Sequence, residues 1–171
     1  MTEISQSPDP LSLELIKSHI VIEHNLDDTL LEHYKNASLD TIEKYLNASI
    51  LERIFQSGSG GSVTNESDVI TFDLTYKPKS IIVYYTDGSQ DDTVDYFYDT
   101  GAQILYVDNQ DFNIDRVEAF ISPININTSN QIRLLLIANW YAFREADTNL
   151  NLKEVPTGII FMIDKIKGPE L

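Results

Sequence analysis

The hydrophobic period changes twice along this chain, and that change constrains the fold more than any other feature. In the first third, Leu31, Tyr34, Ile42, Tyr45 and Leu46, with Ala37 beside them, recur at helical spacing. QSGSGGSVTNES, from Gln56 to Ser67, is Gly/Ser-rich, cannot continue a helix and reads as a flexible loop. After it the period is two. In VITFDLTY, Ile70, Phe72, Leu74 and Tyr76 alternate with Val69, Thr71, Asp73 and Thr75. KSIIVYYTDG is a β-branched and aromatic strand ending in the Asp87-Gly88 turn pair. Val94, Tyr96 and Tyr98 alternate next, and Ile104 to Val107 and Val117 to Ile121 supply two more strands. Helical spacing returns after SPININTSN. Helix, then strand, then helix predicts an α+β fold: a small bundle of about four helices with an inserted antiparallel β meander of roughly four to five strands.

The expected domains follow from these switches. Residues 1–10, polar with two prolines, read as a mobile N-terminal arm. Residues 11–55 and 129–171 form a helical domain, because neither end has enough apolar surface alone, and residues 56–128 form the inserted β subdomain. Ser12 caps a short helix over Leu13 to His19, with Glu14 in its first turn. Asn25 is the expected N-cap of the next helix, with Asp27 and Asp28 at the positive end of its dipole. Ser38 offers a fresh cap, so this segment is one long helix or two. Thr128 or Ser129 caps the later helix. Pro156 suits the first turn of a last helix, TGIIFMIDKIKG, closed by Gly168 and Pro169.

The stretch IRLLLIANWYAFREA, Ile132 to Ala146, has helical composition but no clean polar face. A helix apolar nearly all round must be covered on more than one side, by a second element or by a neighbouring subunit. Leu135, Leu136 and Phe143 are expected to face the core. Trp140 and Arg144, four apart, share a face, as do Tyr141 and Glu145, and a buried Asn139 must find a hydrogen-bond partner.

Charge excludes one class of function and colours the rest. Among 171 residues, 27 Asp and Glu against 12 Lys and Arg give a net charge of -15. Tight nucleic-acid binding comes from cations neutralising phosphates, so such a chain is not expected to bind DNA tightly. No apolar run is long enough for a transmembrane helix, and the start, MTEISQSPDPLSLEL, lacks the basic and apolar regions of a signal peptide. The sequons at Asn36, Asn47, Asn65 and Asn127 therefore carry no weight. With no Cys there are no disulfides, thiolate metal sites or cysteine nucleophiles.

A search for chemistry gives little. His19, His24 and His33 lack a third ligand at metal-site spacing and do not form HExxH. DGSQDD has no alternating ligands or closing Glu of a calcium loop and reads as a solvated hairpin turn. GSGSGGS is not a phosphate loop, and there is no GxSxG elbow. Tyr84, Tyr85, Tyr96, Tyr98 and Tyr106 can stack on sugars or bases, but Tyr also packs across strands, and the packing reading is preferred. No enzyme, metal or cofactor is expected.

The order of features resembles one family. LELIKSHIVIEHNLDDTLLEHYKNAS is similar to the N-terminal signature of gp6-like phage head-tail connector proteins, with Leu15, Ile20, Ile22, Asp27, Asp28, Leu30, Leu31, Tyr34 and Ala37 in its positions. IRLLLIANWYAFREA resembles the family's penultimate helix, an apolar run ending in aromatic-Tyr-x-x-Arg-Glu, here Trp140, Tyr141, Arg144 and Glu145. VPTGIIFMIDKIK resembles its closing segment, and SIIVYYTDGSQDDTVDYFYDTGAQILYV resembles the β insertion of a longer branch. The resemblance covers most of residues 11–167. It departs where SPININTSN replaces a Gly-Tyr and Pro before the penultimate helix.

This resemblance implies a non-enzymatic structural protein of the virion, made in the host cytoplasm. It implies a homo-oligomeric ring of about twelve subunits below the portal. The ring extends the DNA channel, with DNA only as passing cargo and no membrane contact, and it links head to tail. The implied partners are the portal protein and a tail or stopper (tail-completion) protein. Candidate packing or subunit-interface residues are Leu31, Tyr34, Leu136, Trp140, Tyr141, Arg144 and Glu145. Candidate portal-docking residues, in the C-terminal segment, are Ile159, Phe161, Met162, Ile163, Lys165 and Lys167. Two other readings remain from the sequence: a binding module whose β insertion recognises glycan or a tail protein, and an acidic DNA-mimic inhibitor.

Overall fold

The computed structural model describes residues 1–57, 69–108, 114–143 and 156–167. The fold is α+β, with four helices and two antiparallel sheets among those residues. The chain divides into two compact units, Met1–Ser7 with Leu51–Pro123, and Pro8–Ile50 with Ile124–Leu171.

The first unit is all β. Its strands are β1 (Thr2–Gln6), β2 (Arg53–Gln56), β3 (Val69–Asp73), β4 (Ser80–Tyr85), β5 (Gln90–Asp91), β6 (Tyr96–Asp99), β7 (Ile104–Asp108) and β8 (Ile114–Ile121). They form a five-stranded sheet in the order β1-β2-β8-β4-β5 and a three-stranded sheet in the order β3-β7-β6. The strands expected as one meander are thus shared between two sheets. The reason lies in burial: period-two strands each offer one apolar face, and two sheets can turn those faces toward one core. Phe55, Ile81, Val83, Tyr98, Leu105, Val107, Val117, Ala119 and Ile121 make that core, with Leu74 from the segment after β3.

Three strands escaped the sequence reading: β1, β2 and the two-residue β5, which falls in the segment read as a turn. Residues 1–10 were expected as a mobile arm, yet Thr2–Gln6 form an edge strand whose residues are all exposed. The ladder needs backbone groups rather than apolar side chains: β2, paired with β8 on one side, offers its other edge to β1. Arg53 fastens the pair, its Nη1 donating to Glu3 Oε2 at 2.7 Å. β2 itself, RIFQ, is too short for its period to be read. Of the loop expected over Gln56 to Ser67, Gln56 ends β2 and Ser57 Oγ accepts from the Val117 N–H at 2.8 Å. The rest of that expected segment lies outside the described residues.

The second unit is helical: α1 (Leu13–Ile20), α2 (Asp28–Leu46), α3 (Ile126–Ala142) and α4 (Thr157–Lys167). α2 packs on α3, and α1 and α4 each pack on both of them. Ser12 caps α1, its side chain accepting from the Leu15 N–H. The other expected caps shift. Asp27, not Asn25, stands at the N-cap of α2, and Asn25 Oδ1 instead accepts from Lys17 Nζ at 2.5 Å. α2 is one helix, because Ser38 lies inside it and turns its hydroxyl to the Lys35 carbonyl, 2.7 Å. α3 begins earlier than expected, with Asn125 as its N-cap, accepting from the Thr128 N–H. Asn125 reaches the orphan amide that Thr128 and Ser129, both within the first turns, cannot.

Candidate interaction surface

α3 buries Ser129, Ile132, Arg133, Leu136, Ile137 and Trp140, a single stripe at i, i+3, i+4 spacing. The helix that reads apolar all round is therefore covered on one face. Leu136 faces the core as expected, but Leu135 and Phe143 are exposed, and Asn139 is only half-buried. The stripe selects by angle rather than by hydropathy, and so it takes in an arginine and leaves a leucine out.

Arg133 is fully buried, and its environment explains how a charge stays there. Its Nη1 and Nη2 donate to Asp9 Oδ1 and Oδ2 at 2.8 and 2.6 Å, a two-pronged ion pair. Nε donates to Ser38 Oγ at 3.2 Å, Nη2 also to the Lys35 carbonyl at 3.2 Å, and Nη1 to Asn130 Oδ1 at 3.3 Å. Every guanidinium N–H is thereby used. Asp9 also accepts from the Leu11 N–H at 2.9 Å. Burial by itself raises the Asp9 pKa, but the hydrogen bonds from Arg133 and Leu11 and the charges of Arg133 and Lys35 outweigh it and hold the carboxyl below its ordinary value. In the sequence, Arg133 is a lone cation within the otherwise apolar stretch IRLLLIA. The only signal was its position on the stripe with Leu136 and Ile137.

The packing candidates separate by exposure. Leu31, Tyr34, Leu136 and Trp140 are buried within the unit. The Tyr34 and Trp140 rings meet at 5.9 Å between centroids, tilted by 54°. Trp140 Nε1 is buried and has no hydrogen-bond partner among the described residues. Tyr141 is half-buried and donates its hydroxyl to Asp27 Oδ2 at 2.6 Å, joining the end of α3 to the start of α2. Arg144 and Glu145, and with them the two expected helical pairs, lie outside the described residues, as does the Lys167 side chain. On α4, Ile159 and Ile163 turn inward and Met162 is half-buried. Phe161 is 62% exposed, with Lys165 Nζ 4.8 Å from its ring centroid.

The largest apolar exposure falls on the α1–α2 connection. Val21 is 86% and Leu26 88% exposed. Val21 also ends α1 in the left-handed conformation, φ 58 and ψ 53, which crowds a β-branched side chain. The bond from Tyr141 to Asp27 brings Phe143 to the same end of the unit as Leu26.

The β unit commits most of its tyrosines to structure. Tyr98 is buried with its hydroxyl on the Leu74 carbonyl, 2.9 Å, and Tyr96 donates to the Lys79 carbonyl at 2.9 Å. Tyr84 donates to Glu118 at 3.1 Å and lies under the Arg116 guanidinium, 3.8 Å from the ring centroid. Of the DGSQDD segment, Asp87 to Ser89 make the hairpin turn and Gln90–Asp91 the strand β5: Gly88 takes φ 88, and Asp87 accepts from the Ser89 N–H and hydroxyl. His19, His24 and His33 are all exposed, and no three His, Cys, Asp or Glu side chains among the described residues stand together as a metal set.

The model of the phage gp6-like head-tail connector proteins matches residues 10–116, and the chain belongs to that family. Among solved structures, it is similar to a protein in the neck of an empty gene transfer agent particle computed with C6 symmetry. That likeness has 16% identity and a TM-score of 0.51 over 97% of this chain and 95% of the other. A neck of the native particle computed with C12 symmetry matches at 16% identity and TM-score 0.48, over 97% and 94% of the two chains. No curated protein sequence matches the chain.

Proposed function

We propose that this chain is a structural connector of a tailed-phage virion, closing head-to-tail into a ring below the portal and carrying the DNA channel toward the tail. Membership of the head-tail connector family is the observation that carries this reading. Two further features support it. Val21, Leu26, Leu135, Phe143 and Phe161 place large apolar side chains of the helical unit in water, as surfaces awaiting cover do. A charge of -15 keeps passing DNA from adhering, since tight binding needs cations. The rotational symmetry of the gene transfer agent neck is carried to this chain on the same footing, by analogy of fold.

In this reading the buried candidates Leu31, Tyr34, Leu136 and Trp140 shape the subunit, and the exposed residues around them make its contacts. Tyr141 holds the end of α3 against α2. Phe161 and Lys165 on α4 meet the portal, while Ile159 and Ile163 anchor α4 to its own subunit. A tail-completion protein takes the opposite side of the ring, assembly occurs in the host cytoplasm, and no step is catalytic.

Light scattering on the chain alone and mixed with portal protein tests the proposal. The expected result is a closed ring, free or portal-bound, that Phe161→Asp weakens without changing the melting temperature. A monomer at high concentration under both conditions would overturn it.

A further inference from the structure

The outer face of the β3-β7-β6 sheet has a composition that the connector reading does not use. Residues paired across strands share a face, so the register fixes its layout. Thr71 pairs with Tyr106 and Tyr106 with Phe97, which makes a central row. Leu105 and Tyr98, on the opposite face, belong to the core. Phe97 is 65% exposed, and its ring lies 5.8 Å from that of Tyr106, tilted by 40°. On one side of the row stands Asp108; on the other stand Asp73 and Asp99, each paired with the same residue of β7. Exposed Phe97 and half-buried Tyr106 are thus flanked by three carboxylates, with Val69 and Ile104 in the same rows and no Lys or Arg among the paired positions of the face. Asp99 already accepts from the Gly101 and Ala102 N–H through Oδ1.

A neutral ligand would stack on the rings and donate hydroxyls to the carboxylates, but would leave their charge unanswered. A phosphate backbone would be repelled by it. A cation uses both, stacking on the rings and pairing with the carboxylates, and a guanidinium does so better than an ammonium because it is planar and forks to a carboxylate. The chain's own described arginines are engaged elsewhere: Arg53 with Glu3, Arg116 over Tyr84, and Arg133 with Asp9. The N-terminal ammonium donates to the Asp73 carbonyl at 2.8 Å but is no guanidinium, so a guanidinium on this face is read as coming from another protein. We propose that this sheet face is a docking surface for a protein partner presenting arginine, whose guanidinium lies over Phe97 and Tyr106 between the carboxylates of Asp73, Asp99 and Asp108. The proposal stands on the sheet alone and does not depend on ring formation.

The test is an amide-shift titration of the whole ¹⁵N-labelled chain with a capped Arg-Gly-Arg peptide, run beside a Glu-Gly-Glu peptide and a neutral oligosaccharide. The arginine peptide is expected to move amides of Thr71, Phe97, Asp99 and Tyr106 in a saturable, salt-sensitive way. Phe97→Ala should weaken that binding about twofold to fivefold, the worth of one exposed cation–π contact. Thr71→Arg, which supplies a cation to the row from within, should abolish it, and this variant keeps the test intact should Phe97→Ala disturb the sheet. Arginine-induced shifts scattered over the acidic surface, equal binding by both variants, or shifts of these amides by the oligosaccharide instead would each overturn the proposal.

Discussion

In the β unit, the central strands send alternate side chains inward: Ile81 and Val83 on β4, Leu105 and Val107 on β7, Val117, Ala119 and Ile121 on β8. In the helical unit, α3 buries Arg133 beside Leu136 and leaves Leu135 and Phe143 in water. The contrast teaches where hydropathy decides burial and where geometry does. A pleat fixes the two faces of a strand whatever its neighbours are, so an apolar residue on the wrong face is a register error. A helix offers a continuous cylinder, and what lies against it chooses the buried stripe. A polar side chain can occupy that stripe if every donor is answered, as Arg133 is by Asp9, Ser38, Asn130 and the Lys35 carbonyl.

Removing Arg133 is the strongest way to break this comparison. Arg133→Ala leaves the half-buried Asp9 carboxylate without its partner, beside the buried Ser38 hydroxyl, and is expected to cost about 3 to 5 kcal/mol, read from urea unfolding. The double variant Arg133→Met with Asp9→Ala should recover much of that, because an apolar stripe then replaces a satisfied ion pair. A single-variant cost under about 1 kcal/mol would mean that the network contributes little and that the stripe behaves like a strand face. The pair also sets a pH dependence. Since the folded pKa of Asp9 is depressed, its contribution is fully present above the unfolded value, about 3.9, and is lost as pH falls through the lower folded value. Asp9→Asn should flatten the acid limb of the stability curve.

The same contrast explains what the sequence disclosed. The class of fold and five of the strand segments came from the period alone, because alternation in VITFDLTY or SIIVYY has one physical cause. β1 and β2 were hidden: an exposed edge strand such as TEISQ carries no apolar pattern, and its pairing is a backbone matter settled by a strand some 50 residues away. Caps moved by two to four residues because Asn, Asp, Ser and Thr crowd these helix starts, and only the local backbone chooses among them. Of the candidate surface, the apolar character of α3 was legible, but which of its residues meet water was not. Leu135 and Leu136 are identical as letters and opposite in burial.

Trp140 sharpens the point at intermediate size, since it holds an apolar body and an unanswered polar tip. Its ring packs near Tyr34, and Nε1 has no partner among the described residues. Trp140→Ala should cost about 3 to 5 kcal/mol through lost burial and the cavity left behind. Trp140→Phe keeps most of the apolar volume and discards the unsatisfied N–H, so its cost is expected to stay below about 1.5 kcal/mol. Calorimetric melting of the two variants separates ring from donor. Equal losses would show that the indole nitrogen contributes to the folded state, and that α3 tolerates a buried polar atom only when it is bonded.

The smallest effect compares two helix ends that do the same thing with different residues. α1 closes on Val21 and α2 on Asn47, both left-handed, at φ 58 and φ 51, each with its N–H returned to a carbonyl four residues back. Asn tolerates that conformation and Val does not, because the branched Cβ crowds the backbone. Val21→Asn is therefore expected to stabilise the chain by about 1 kcal/mol, and Asn47→Val to destabilise it by a similar amount. Thermal melting at neutral pH reads both signs. Val21 is also almost fully exposed, so the folded subunit gains little burial from its side chain in return for the strain. If Val21→Asn raises the melting temperature while loosening the oligomer or its hold on the portal, the strained valine belongs to the contact surface rather than to the fold. If both properties improve together, the connection between α1 and α2 is not where the subunits meet, and the contact must be sought around Phe143 and Leu135 instead.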